Sequence, residues 1–130
     1  MPITYQYESG ANIIHAKATE IVTTKEILNY VTNIIEDVTI ENGFVEVLDL
    51  EFVKDLVVRY SELEPFPNIW GKYMEKGCKG NVIYAPTEFC YGTIRMVQTV
   101  IEMKHEVAED LFMIVRSREE LENLLKEILA

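Results

Sequence analysis

The chain has 130 residues, 48% hydrophobic and 26% charged, and a formal net charge of -10. That length suits a single domain, residues 1–130, able to bury about two-thirds of its unfolded surface. Phosphate backbones and anionic membranes repel so acidic a surface, which argues against nucleic-acid partners, and no run reaches the ~20 apolar residues of a membrane-spanning helix, so stable membrane insertion is not expected.

The opening segment MPITYQYESG has no basic, apolar signal pattern. Cys78 and Cys90 lack CxxC spacing and read as idle thiols. Both features point to a cytoplasmic protein.

Residues 3 to 8 alternate strictly, with Ile3, Tyr5 and Tyr7 on one face, as in a half-buried strand. The turn signal Ser9-Gly10-Ala11-Asn12 leads into a second strand, Ile13 to about Ile21, with Ile14, Ala16 and Ala18 facing inward and His15, Lys17 and Thr19 outward. So short a connection predicts an antiparallel hairpin. Thr23 to Glu26 form a capping box, and the stripe Ile27, Leu28, Val31, Ile34, Ile35 predicts a helix to about Glu36. Asn42-Gly43 reads as a loop. Phe44 to Leu50, FVEVLDL, reads as a mostly apolar, central strand.

Residues 51 to 64 give mixed signals. Leu56-Val57-Val58 leans towards extended chain, while Ser61 and Glu64 have capping-box spacing. Pro65 and Pro67 fit the first turn of a helix striped by Phe66, Ile69, Trp70, Tyr73 and Met74, with Gly77 as its left-handed stop.

Val82 to Ala85 is a continuous apolar run, the pattern of a strand covered on both faces. Pro86 turns the chain, and Thr87 is placed to cap a helix that continues to Lys104. One stripe of that helix is Phe89, Met96, Val100 and Met103. Another is Cys90, Ile94, Val97 and Ile101. Glu88, Tyr91, Arg95, Gln98 and Glu102 form its polar face. Gly92 costs about 1 kcal/mol inside a helix relative to Ala, which suggests a close backbone approach. A polar loop follows from His105 to Asp110, then an apolar strand from Leu111 to Val115. A last capping box, Ser117 to Glu120, precedes a helix burying Leu121, Leu124, Leu125, Ile128 and Leu129.

The fold class is therefore α/β: an opening antiparallel hairpin, then βα units, giving a mostly parallel mixed sheet of about five strands with helices mainly on one face. The segment Ala85-Pro86-Thr87-Glu88-Phe89-Cys90-Tyr91-Gly92-Thr93-Ile94-Arg95-Met96 resembles the signature of the SpoIIAA-like family, a branch of the STAS and CRAL-TRIO-like fold. The shared pattern is an apolar strand, Ala-Pro, Tyr-Gly, then Arg-Met within a long helix. The order of elements agrees over nearly the whole chain.

The resemblance implies a non-enzymatic regulatory or protein-interaction module akin to anti-sigma factor antagonists. It does not carry their phosphoswitch, because Leu50 to Val58 holds no hydroxyl and the first ones downstream are Tyr60 and Ser61. The alternative that the fold implies is binding of a small apolar or lipid-like ligand. These two readings differ in what they need: an exposed apolar patch for a partner, an enclosed apolar cavity for a ligand.

No Ser/His/Asp arrangement, phosphate-binding glycine loop or HExxH motif occurs. His105 with Glu102, Glu106 and Glu109 has a weak metal-ligand spacing but reads better as a solvated acidic helix end. No cofactor, metal or catalytic residue is expected. Ligand or partner contact is expected at the carboxyl edge of the sheet, where open α/β sheets bind. Asp49, Thr87, Glu88, Tyr91 and Arg95 are its candidates. The doubly striped helix and an open sheet face around Ile13 and His15 predict a homodimer, with contacts through Ile94, Val97 or Ile101.

Overall fold

The computed structural model describes residues 2–105 and 111–129. Its elements run β1 (Ile3–Glu8), β2 (Ile13–Thr23), α1 (Thr24–Glu36), β3 (Val45–Val57), a 3-10 turn (Tyr60–Glu62), α2 (Phe66–Lys76), β4 (Gly80–Tyr84), α3 (Glu88–Glu102), β5 (Phe112–Val115) and α4 (Arg118–Leu129). The strands lie in the order β1-β2-β3-β4-β5. β1 and β2 are antiparallel, and every later pair is parallel. This is the α/β hairpin-plus-βα arrangement expected from the sequence.

The local signals place the helices. Thr23 accepts from the Glu26 amide, and Glu26 reaches back to the Thr23 amide, starting α1. Thr87 accepts from the Cys90 amide and starts α3. Gly77 ends α2 at a φ of 95°. A side chain there would be doubly excluded, because a Cβ would stand 2.3 Å from the Asn42 side chain.

Residues 51 to 64 resolve against the capping signal. β3 runs on to Val57, paired with an equally extended β2 across two register shifts, near Lys17/Thr19 and Glu20/Ile21. The Ser61–Glu64 capping box does not form. Glu62 instead accepts from the Arg59 amide and from the Thr24 hydroxyl.

Two unequal cores flank the sheet. On one face α1, α2 and α3 cover a large cluster that includes Ile14, Tyr30, Ile34, Leu48, Leu50, Trp70, Tyr73, Ile94 and Phe112. On the other, α4 covers a smaller one: Ile13, Val47, Val82, Tyr84, Val115 and Leu121. Ile13 is thus buried beneath α4, whereas His15 stays exposed and pairs with Glu8 at 3.1 Å. Leu129, expected in the core, is exposed at the last turn of α4.

The predicted dimer stripe is spent inside the chain. Ile94, Val97 and Ile101 are all buried between α2 and the sheet, so they offer no face to a second copy. The second stripe is largely at the surface, with Phe89 and Met103 exposed. Gly92 meets no close neighbour; a Cβ there would find nothing within 4 Å, so the expected backbone approach is absent.

Candidate functional site

The carboxyl edge of the sheet gathers most of the residues expected there, but into ion pairs with one another, although Arg116 Nε is buried without a partner. Asp49 ends the regular pairing of β3 with β4, opposite Tyr84. Its carboxylate accepts from Arg118 at 2.9 Å and from the Glu51 amide at 2.9 Å. Arg118 also binds Glu51, and its guanidinium lies 4.7 Å from the Tyr84 ring centroid. On α3, Glu88 pairs with Arg116 at 2.9 Å, and Arg116 lies over Tyr91 at 4.6 Å.

Arg95 departs from this group. It does not stack on Tyr91 but donates to Gln98, whose own amide donates to the Phe112 carbonyl at 3.0 Å. Gln98 is buried, although its spacing placed it on a polar face. Thr87 serves the helix cap. Of the five expected contact residues, then, Glu88 and Tyr91 meet around one arginine, Asp49 meets another, and Thr87 and Arg95 have separate structural tasks. The two arginines were not singled out from sequence. Their signal was Arg116-Ser117-Arg118 directly after a parallel strand, which delivers both to that edge.

The feature with most chemical content lies beneath the helices. A cavity of about 80 Å³ opens between the sheet and α1, α2 and α3. Its walls are mostly apolar: Leu48, Leu50, Ile83 and Phe112 from the sheet, Phe66, Ile69 and Trp70 from α2, and Ile94, Val97 and Ile101 from α3. Four polar side chains enter it. Glu46 and Asn81 stand side by side on β3 and β4, and Tyr30 and Tyr73 reach in from α1 and α2.

Glu46 is fully enclosed and accepts a hydrogen bond from the Tyr30 hydroxyl. Among the described residues it has no ion-pair partner. Burial pushes its carboxyl up to about 7, against the lowering effect of the neighbouring tyrosine hydroxyls. The same enclosure, with the nearby Glu46 charge, holds Tyr30 and Tyr73 well above the ordinary tyrosine value.

The Tyr73 hydroxyl lies beside Glu46, near enough to lower its carboxyl, but falls short of good hydrogen-bond geometry with it. The Asn81 side-chain oxygen is likewise buried and unpartnered. Orphaned polar atoms of this kind are rare in a packed interior and mark a place where a partner group belongs.

Sequence reasoning passed over Glu46 because FVEVLDL reads as one apolar strand. The signal was a carboxylate at an inward position, in phase with Leu48 and Leu50.

The arrangement can hold or exchange one proton at Glu46 near neutral pH. It supplies no activated nucleophile: burial, then the Glu46 charge, pushes the nearby Cys78 thiol up to about 12, and burial also raises Cys90. Both cysteines are free and buried. Glu106 and Glu109 of the acidic cluster lie outside the described residues, and among the described residues no His, Cys, Asp and Glu group is placed to hold a metal. No helix among the described residues is long and apolar enough to cross a membrane. Comparison with protein-family models and with curated proteins finds no match for this chain.

Proposed function

We propose that the protein binds a small, largely apolar ligand in the cavity beneath α1, α2 and α3. The observation that carries this reading is the pair of buried, unpartnered polar atoms, Tyr73 Oη and Asn81 Oδ1, on two residues that line an otherwise mostly apolar cavity. A purely structural core would be expected to fill the space or pair those groups. Mostly apolar walls with a few convergent polar groups are the usual make-up of a ligand site.

The size sets the ligand class. An apolar cavity of about 150 Å³ takes benzene, so this one suits a molecule of roughly four to six heavy atoms unless the helices part. Native mass spectrometry of the full chain purified from its source tests the reading. The expected result is an added small mass that disappears on denaturation. A bare chain mass, together with no response of Trp70 fluorescence to xenon, overturns it.

The regulatory reading implied by the SpoIIAA-like resemblance has one favourable observation of its own. Ile21 and Phe52, 56% and 53% exposed, put apolar side chains on the surface. A protein partner or a second copy would use that patch rather than the buried stripe of α3. Ile21→Glu should then abolish any mass near twice the monomer in sedimentation equilibrium. A monomer before and after the change removes the homodimer from this reading.

A further inference from the structure

We propose that the ligand is a small primary amine, bound as its ammonium ion with the nitrogen among Glu46, Asn81 and Tyr73 and its alkyl part against Trp70 and Phe112. This rests on the ligand-binding reading above and specifies the head group that the site selects.

The argument starts from a mismatch of donors and acceptors. The side chains at the polar end offer a carboxylate, an amide oxygen and a tyrosine oxygen, and among the described residues no lysine, arginine or histidine lines the cavity. Glu46 accepts one well-formed hydrogen bond, from the Tyr30 hydroxyl, with the Tyr73 hydroxyl beside it. Asn81 Oδ1 accepts nothing, and Tyr73 Oη has no partner. Both residues are more than nine-tenths buried, at 8% and 2% exposure. Paired strands lie about 4.8 Å apart, so a nitrogen seated between the Glu46 and Asn81 side chains is within reach of both.

An ammonium carries three donors and no acceptor. It can donate to three oxygens, and its charge answers a carboxylate that no cation among the described residues answers. An alcohol can donate to Asn81 Oδ1 and accept from the Tyr73 hydroxyl, but it brings no charge to answer Glu46. A carboxylate ligand would meet Glu46 with like charge and no cation.

The walls agree. Tyr30, Trp70, Tyr73 and Phe112 supply aromatic rings, whose faces attract a desolvated cation. The titratable groups facing Glu46 are Tyr30 from α1, Tyr73 from α2 and Cys78 from the α2–β4 connection. α3 contributes only Ile94, Val97 and Ile101 to the walls. Each of these titratable neighbours is neutral at pH 8, so the charge that attracts the amine there is that of Glu46 alone.

Trp70 is the only tryptophan of the chain and lines the cavity, so its fluorescence reports occupancy. The full chain is titrated at pH 8 with n-butylamine hydrochloride, n-butanol, sodium butyrate and xenon. n-Butylamine is expected to bind at least about tenfold more tightly than n-butanol, charge-assisted hydrogen bonds being the stronger kind. Butyrate should not bind. Glu46→Gln keeps an acceptor for Tyr30 while removing the charge. It should cost the amine about tenfold and leave n-butanol within about twofold, which also shows that the variant is folded.

n-Butanol binding as tightly as the amine, or amine binding indifferent to Glu46→Gln, overturns the amine assignment and leaves the ligand cavity standing. Failure of the amine, n-butanol and xenon alike removes the ligand cavity itself. Should Glu46→Gln not fold, Asn81→Leu takes its place, with selective loss of the amine expected and equal loss of n-butanol counting against the proposal.

Discussion

Strand β3 carries acids on both faces of the sheet, and the two faces treat them in opposite ways. Glu46 points under the helices, fully enclosed, with tyrosines and no cation. Asp49 and Glu51 lie at the open edge and share Arg118. Burial dominates the first place and raises the carboxyl. Water and the guanidinium dominate the second, where pairing adds little because solvent already stabilises the charges. Charge alone therefore does not mark the more consequential acid; the absence of a partner does.

The largest way to break this contrast is to disturb the packing around Glu46. Trp70→Ala should cost about 3–5 kcal/mol, as for other large-to-small core changes. Chemical denaturation followed by circular dichroism reads it. A loss below about 1 kcal/mol would mean that the helices close over the gap.

Next is pH. Glu46 titrates near 7 when folded and at 4.5 as an ordinary glutamate. Between those values the folded chain holds a proton that the unfolded chain has released. Its contribution is therefore greatest below about pH 4.5 and is lost as pH rises through about 7. Glu46→Gln should match the parent near pH 5 and exceed its stability by about 2–3 kcal/mol at pH 8. Parallel denaturation curves at all pH values would show that Glu46 titrates normally. An amine bound at pH 8 should narrow the gap by stabilising the parent more than the variant.

The edge yields smaller effects. Thr87→Ala removes the α3 cap and should cost about 1 kcal/mol. Equal midpoints and slopes in urea would mean that the cap contributes nothing. Arg118→Ala should cost less than about 1 kcal/mol, and less again in high salt. A larger, salt-independent loss would make the edge a rigid network rather than a screened one.

Much of the fold was legible because its signals are local. Thr23, Glu26, Thr87 and Gly77 act on residues within a turn of themselves, so spacing alone reveals them. The length of β3 was not legible, because the register shifts against β2 break the two-residue period where the strand continues. Gln98 was misplaced for a related reason. Gln98 is drawn inward by the Phe112 carbonyl, a group fourteen residues away that no helical wheel contains. The site was least legible of all. Glu46 becomes unusual only when Asn81, Tyr30 and Tyr73 arrive from three other elements. Ile94, Val97 and Ile101 looked surplus until α2 was placed beside them.

The bond from Gln98 to the Phe112 carbonyl also makes the two margins of the sheet unequal. β5 is only four residues long, and a side chain of α3 already occupies a carbonyl on it. An incoming strand would have to displace that bond and would find little length to pair with. β1, at the opposite margin, is six residues long and pairs with β2 alone. Among the described residues, strand addition, whether with a peptide or in misassembly, would therefore meet less obstruction at Ile3–Glu8 than at β5.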